Sequence, residues 1–171
     1  FNDYDSLEKI VETKDIGIIK MEVQRNDPPK DNFLEKVRKL STKNGIILIF
    51  DECTSGFRET FGGIHKKFNV NPDMAMFGKA LGNGYGITAV LGKKEIMEAA
   101  QNTFISSTFW TERVGPSAAL KTLEVMKEIE SWSTITKQGE KIRNGISILA
   151  KEHNLDIAQW GLLPLTGYTF N

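Results

Sequence analysis

Ile46-Ile-Leu-Ile-Phe50 is an unbroken run of five apolar residues, and Asp51 and Glu52 follow it directly. A β-branched run of this length, with no polar residue on either face, predicts a buried strand. Strands that are apolar on both faces are typical of parallel sheets covered by helices on both sides. This run therefore predicts an α/β fold.

The segments on either side complete a βαβ unit and extend the sheet. Ile16–Glu22 is a short apolar run bounded by charge, interrupted by Lys20, and predicts an earlier strand. Between it and the central run, an apolar stripe at helical spacing predicts a helix and consists of Phe33, Val37 and Leu40. Two further short strands are predicted over Asp73–Phe77 and Ile87–Leu91. The order strand, helix, strand favours a mainly parallel sheet.

Helices replace strands in the last third of the chain. Two apolar stripes predict long helices, one formed by Ala119, Leu123, Met126 and Ile129 and the other by Ile135, Ile142, Ile146 and Leu149. We place a domain boundary between these helices, near residues 131–133, which gives one unit over 1–132 and the beginning of a second over 133–171. A strand follows over Leu155–Trp160, and the final segment, Gly161–Asn171, has the pattern of a strand or hairpin cut off before its partner. We therefore expect a piece of a longer protein.

Composition excludes several classes of function. Lys and Arg number 22, as do Asp and Glu, and this balance argues against nucleic-acid or anionic-membrane binding. The longest aliphatic or aromatic run is five residues, well short of the ~18 that would indicate a membrane span. No secretory signal is visible, and one Cys with two His cannot form an internal disulfide or a structural zinc site. The expected location is the cytoplasm, with no metal.

Polar residues follow two of the predicted strands, Asp51 after Phe50 and Lys79 after Phe77-Gly78. Ligands of open α/β sheets bind beyond the carboxyl ends of the strands. In the simplest interpretation, Asp51-Glu52 caps a turn and Lys79 is a solvated surface residue, since such residues are mostly exposed. In a second, the strand and Asp51-Glu52 form a Walker B element for nucleotide hydrolysis. That interpretation needs a G-x-x-x-x-G-K-[ST] loop, which this chain does not contain.

A third interpretation is pyridoxal phosphate chemistry. A lysine forms a Schiff base with the cofactor aldehyde, and a carboxylate keeps the pyridine nitrogen protonated, so that the ring acts as an electron sink. The same lysine then moves the substrate Cα proton as general base and acid. Lys79 and Asp51 supply that pair of residues.

Several motifs occur in an order that resembles the class III pyridoxal-phosphate aminotransferases, particularly the glutamate-1-semialdehyde aminomutase branch. The resemblance covers Ile16 to about Glu124. Its motifs are Ile49–Arg58 (Ile-Phe-Asp-Glu-Cys-Thr-Ser-Gly-Phe-Arg), Phe61-Gly-Gly63, Asn71-Pro-Asp73, Phe77–Gly84 (Phe-Gly-Lys-Ala-Leu-Gly-Asn-Gly) and Ile87–Gly92. It implies the aspartate-aminotransferase-like fold, known as pyridoxal-phosphate fold type I: part of the large cofactor domain followed by the start of an α+β small domain.

The resemblance also implies roles for individual residues. Lys79 would form the internal aldimine with pyridoxal 5'-phosphate, and Asp51 would hold the pyridine nitrogen. Cys53 would pack against the cofactor ring as a small apolar group. Thr108 would reach the phosphate of the cofactor in a neighbouring subunit, which implies a homodimer. The substrates would be a small-molecule amino donor and acceptor, or a single substrate rearranged by an aminomutase.

Some features depart from the family pattern or stay open. Val23 follows Glu22 where the family has proline, so the role of Glu22 is open, and Arg58 suits either a substrate carboxylate or a loop ion pair. The connection that begins at Trp110 is longer than the family's and leaves the substrate open. The upstream half that cups the cofactor phosphate is absent, so a truncated or degenerate fragment unable to bind the cofactor is the alternative. His65, beside Lys66 and Lys67, is expected at the surface.

Overall fold

The computed structural model describes residues 1–106, 108–109 and 111–171. Its centre is a four-stranded sheet with the spatial order β1 (Ile18–Glu22), β2 (Ile47–Asp51), β3 (Met74–Phe77) and β4 (Ala89–Gly92). The first three strands are parallel, and β4 is antiparallel to β3. The predicted α/β class with a mainly parallel sheet is confirmed, and each strand begins or ends within two residues of its predicted bounds.

Five α-helices surround or follow this sheet. They are α1 (Tyr4–Thr13), α2 (Phe33–Lys43), α3 (Lys94–Met97), α4 (Val114–Ile129) and α5 (Ser131–Glu152) among the described residues. In the part of the chain that the structure describes, four short 3-10 helices lie at 64–68, 79–81, 98–102 and 163–165. None of the helices in the described part of the chain is long and apolar enough to cross a bilayer.

The C-terminal segment has its own small sheet. Strand β5 (Ile157–Trp160) pairs antiparallel with β6 (Gly167–Phe170), so the final strand has a partner within the chain, contrary to the sequence interpretation. Glu130, in the left-handed conformation with φ 47°, connects α4 to α5. The boundary placed near residues 131–133 thus falls in the first turn of α5, and the division into two units stays a prediction.

The alternation of side chains along β2 determines where the site can form. Leu48 and Phe50 are fully buried against α2 and the segments that flank it, in a cluster that also contains Val23, Leu34, Val37, Ile64 and Leu162. Ile47, Ile49 and Asp51 alternate with them and are half-buried. Asp51 therefore ends β2 on the more open face of the strand.

A second apolar cluster fixes the turn that follows β3. It joins Ala75 and Phe77 of β3 to Leu81 of the turn and Ala119 of α4. Because α4 packs directly on this 3-10 turn, the backbone at Lys79 is held against a long helix. The two strand ends that carry Asp51 and Lys79 are thus positioned by separate apolar clusters on neighbouring strands.

Candidate active site

Asp51 lies at the carboxyl end of β2, opposite Glu22 of β1 and Met76 of β3. Its Oδ1 accepts a hydrogen bond from the Cys53 backbone N–H at 3.1 Å, and Lys20 Nζ lies 3.0 Å from Oδ2. Partial burial raises the pKa of this carboxyl, but the hydrogen bonds from Lys20 and Cys53 outweigh burial and leave the pKa below its ordinary value. Asp51 is therefore a carboxylate at neutral pH.

Lys79 follows β3 after one glycine and occupies an uncommon backbone conformation. Its φ is 46°, in the left-handed region, which costs a non-glycine residue about 1 kcal/mol. Hydrogen bonds from Leu81 N to Gly78 O at 3.0 Å and from Gly82 N to Lys79 O at 3.1 Å close the turn. The side chain is exposed, and Nζ donates a hydrogen bond to Thr54 Oγ1 at 2.8 Å.

Cys53 connects the two strand ends. A methyl group placed on Gly78 would lie 3.4 Å from Cys53 Sγ, so the thiol packs beside the backbone that precedes Lys79. Burial raises the pKa of the Cys53 thiol, and the hydrogen bond with Asp51 raises it further. The protonated thiol is a small apolar group with little nucleophilic character.

Glu52 has a structural role that the sequence analysis did not predict. Its side chain is fully buried, and both oxygens accept hydrogen bonds. Oε1 accepts from the His65 backbone N–H at 3.1 Å and lies 2.8 Å from His65 Nδ1, while Oε2 accepts from the Ile64 N–H at 3.0 Å and from the Ser55 hydroxyl. Burial raises the pKa of Glu52, but these hydrogen bonds outweigh it and lower the pKa overall.

The hydrogen bonds of Glu52 contradict the expected surface position of His65 and weaken the Walker B interpretation. His65 is 8% exposed and paired with Glu52, so its expected place at the surface is wrong. Lys66 and Lys67 are exposed while His65 is buried, so the charge of the neighbouring residues does not indicate the position of His65. Because both oxygens of Glu52 are already engaged by protein donors, Glu52 is not available to orient a water molecule. The geometry therefore disfavours a Walker B role.

Thr108 is exposed in the segment that precedes α4. Among the described residues, no hydrogen bond joins it to Asp51, Cys53 or Lys79. Its neighbours Ser107 and Trp110 lie outside the described residues, so the departure from the family pattern at Trp110 does too. Contacts in the structure connect three of the four predicted residues, Asp51, Cys53 and Lys79, through the loop that follows β2.

A cavity of about 470 Å³ opens beside Lys79. Its lining includes Arg58, whose Nε is buried without a hydrogen-bond partner, and Ser131, whose Oγ is also buried and unpaired, among the described residues. Arg58 forms no ion pair within the described part of the chain, so the loop ion pair considered for it is not observed there. Glu22, whose role was also open, lies 3.6 Å from Arg25.

Sequence reasoning missed two further residues of this site. Thr54 binds the Lys79 amine, and Lys20 binds the Asp51 carboxylate. Thr54 lies within the Asp-Glu motif but carries no signal of its own, because its partner is 25 residues away. Lys20 had one signal, since a charged residue inside an otherwise apolar strand requires a partner or solvent.

Comparison with known proteins identifies the family. The family model for class III aminotransferases matches residues 26–163, which is most of the chain. The chain belongs to the class III aminotransferase family. A 3-aminobutyryl-CoA aminotransferase from Cloacimonas acidaminovorans is 39% identical over 92% of this chain and 40% of its own length. A glutamate-1-semialdehyde 2,1-aminomutase from Methanosphaera stadtmanae is 35% identical over 99% of this chain and 42% of its own length.

Solved structures confirm the fold of this class III aminotransferase chain. The FumI protein of Sphingopyxis sp. MTA144, solved in its PLP internal aldimine form, superposes over the whole chain with a TM-score of 0.93 at 26% identity. An acetylornithine aminotransferase from Elizabethkingia anophelis superposes over the whole chain with a TM-score of 0.85 at 25% identity. These matches cover 43% and 45% of the two solved chains. The chain spans about two fifths of the length of the curated relatives that it matches. The predicted fold type I architecture is confirmed.

Proposed function

We propose that the protein to which this chain belongs catalyses pyridoxal-phosphate-dependent transfer of an amino group, with Lys79 and Asp51 as its central residues. The observation that carries the proposal is the placement of an exposed lysine amine and an ionised carboxylate at the ends of adjacent strands. Thr54 and Cys53 connect the two, since Thr54 binds Lys79 and Cys53 binds Asp51. Family membership and the relatives' names support the same activity.

The residues present suit pyridoxal phosphate. Asp51 provides a negative charge for a protonated pyridine nitrogen, and Cys53 provides an apolar contact for the ring. The cofactor supplies an aldehyde that condenses with amines and a ring that withdraws electrons from the substrate Cα. Lys79 is the amine that this aldehyde requires, and its exposed side chain leaves Nζ accessible to it.

Each of these residues has a defined task in the proposed reaction. Asp51 keeps the proton on the pyridine nitrogen, because an ionised carboxylate stabilises a neighbouring cation. Lys79 Nζ would take the proton from the substrate Cα and return it, acting as general base and acid. Thr54 Oγ1 restrains Nζ near the strand ends where this transfer occurs. Cys53 would provide an apolar contact that excludes water beside the ring.

The remaining parts of the proposal concern the assembled protein. Thr108, exposed in the segment before α4, would reach the cofactor phosphate of a neighbouring subunit in a homodimer. The substrates would be small amines and carbonyl compounds, as the relatives' names suggest. We place the protein in the cytoplasm on the basis of its single cysteine.

Cofactor titration tests the proposal. We expect incubation with pyridoxal phosphate to produce the visible absorbance of a Schiff base, in this chain or in a longer natural form of it. Lys79→Ala should abolish that absorbance, while Lys127→Ala, at an exposed position on α4, should leave it unchanged. Equal absorbance in the Lys79→Ala variant would contradict the assignment of Lys79.

A further inference from the structure

Lys20 is a charged residue in the middle of β1, an otherwise mostly apolar strand. Its Nζ lies 3.0 Å from Asp51 Oδ2, on the neighbouring strand β2. The Lys20 side chain is 52% exposed and that of Asp51 is 22% exposed, so the ion pair lies at the edge of the site rather than in free solvent.

The register of the two strands explains why this contact forms. Lys20 lies opposite Ile49, and Glu22 lies opposite Asp51, so Lys20 reaches diagonally across the sheet to the next residue on the same face. Glu22 is the acidic residue directly opposite Asp51, but its nearest cation is Arg25, at 3.6 Å. Lys20 is thus the cation paired with Asp51 among the described residues.

The other Asp51 oxygen is also occupied. Oδ1 accepts the Cys53 N–H, so both oxygens already have a partner in the protein. Lys79, the other cation at these strand ends, binds Thr54 instead of Asp51. Asp51 is therefore fixed in place by β1 and by its own loop before any ligand binds.

We propose that Lys20 is a positioning residue that shares the Asp51 carboxylate with the cofactor's pyridine nitrogen and so limits how strongly Asp51 holds that nitrogen. This inference rests on the proposed function. A carboxylate already paired with an ammonium attracts a second cation less strongly, and two cations at one carboxylate repel each other. Lys20 therefore weakens the electrostatic attraction between Asp51 and a protonated ring, while it keeps the carboxylate ionised and in position.

The direction of the change in cofactor affinity distinguishes competition for the Asp51 charge from simple structural support of Asp51. Lys20→Met removes the competing charge and keeps the apolar stem, so we expect the dissociation constant for pyridoxal phosphate to fall by about two- to fivefold, as for a partly exposed ion pair. Loss of a merely structural contact would weaken cofactor binding instead. Lys20→Arg keeps the charge and should have the same dissociation constant as the unchanged protein.

Equilibrium dialysis with pyridoxal phosphate measures these constants for this chain and for any longer natural form of it. Lys39→Met, at an exposed position on α2, is the matched control and should leave the constant unchanged. A second measurement uses no cofactor: the carboxyl carbon resonance of Asp51, followed by NMR in acid, should titrate at higher pH in Lys20→Met than in Lys39→Met.

The outcomes distinguish this inference from the function on which it rests. Cofactor binding at Lys79 that is unchanged or weaker in Lys20→Met would overturn the inference and leave the proposed function standing. An unchanged Asp51 titration would also overturn it, whether or not cofactor binds. Failure of every natural form to bind pyridoxal phosphate would overturn the proposed function, and the sharing of Asp51 with it.

Discussion

Lys79 Nζ donates a hydrogen bond to Thr54 Oγ1 at 2.8 Å, so the amine that follows β3 is tied to the loop that follows β2. Thr54→Val keeps the shape of the side chain but removes the acceptor. A hydrogen bond of this kind contributes about 0.5–1.5 kcal/mol, so we expect borohydride-trapped cofactor to form on Lys79 about two- to tenfold more slowly. Thr54→Ser retains the oxygen and should react at nearly the original rate. Equal rates in Thr54→Val and the unchanged protein would show that Thr54 does not position Lys79.

Glu52 follows Asp51 directly, and its buried carboxylate binds the backbone of the segment 64–65. In Glu52→Gln the amide NH₂ must face hydrogen-bond donors in either orientation, because Ile64 and His65 both donate backbone N–H groups. A buried donor without an acceptor costs about 1–3 kcal/mol, and we expect the free energy of unfolding in urea to fall by about that amount. Glu128→Gln, at an exposed position on α4, should have little effect. A Glu52→Gln protein as stable as its control would contradict the network.

Gly63 is the residue that allows this network to pack closely. A Cβ at this position would lie 2.3 Å from His65 Nδ1 and 2.6 Å from Glu52 Oε1. Gly63→Ala should therefore displace the His65 ring and lower the free energy of unfolding by about 1–3 kcal/mol. At Gly17 an added Cβ meets nothing within 4 Å, which makes Gly17→Ala the matched control. Similar stability of the two variants would show that the loop accommodates the methyl group.

Asp73 predicts how stability depends on pH. Its side chain is 7% exposed and pairs with Arg38 at 2.8 Å and Lys93 at 2.7 Å. Burial raises the pKa of Asp73, but hydrogen bonds from the Leu48 backbone N–H, Lys93 and Arg38 lower it from 3.8 to about 2. A carboxyl whose pKa is lowered by folding stabilises the folded state at pH values above its unfolded-state pKa. This contribution is lost as the pH falls through the folded-state pKa.

We therefore expect Asp73→Asn to lower the free energy of unfolding by about 2 kcal/mol at neutral pH. The deficit should shrink as the pH falls below about 4 and disappear only below about 2, because Asp73 in the folded state is still half ionised at its own pKa. Urea unfolding at a series of pH values measures it, with the exposed Asp15→Asn as control. A deficit that stays constant across this range would mean that the ion pairs do not account for it.

The sequence predicted the parts of this molecule that depend on local pattern. The run Ile46–Phe50 indicated the buried strand, and the stripe at Phe33, Val37 and Leu40 indicated the helix that covers it. Asp51 and Lys79 were identified because the carboxyl ends of neighbouring parallel strands meet at one edge of a sheet. The family resemblance supplied their proposed roles.

The contacts that the sequence did not predict connect residues far apart in the chain. Glu52 and His65 are separated by 13 positions, and Thr54 and Lys79 by 25. No periodicity relates such pairs, because each depends on how a loop folds back over the sheet. The pairing of β6 with β5 was missed for the same reason, since the turn between them has no strong hairpin signal.

Borohydride reduction of protein incubated with pyridoxal phosphate, followed by peptide mass mapping, tests the assignment of Lys79 directly. Reduction makes the bond between the cofactor and a lysine amine permanent, so the labelled peptide identifies the lysine. We expect one pyridoxyl group, on Lys79, in this chain or in a longer natural form of it. Labels spread over many lysines, or no label in any form, would contradict the proposal that Lys79 is the cofactor lysine.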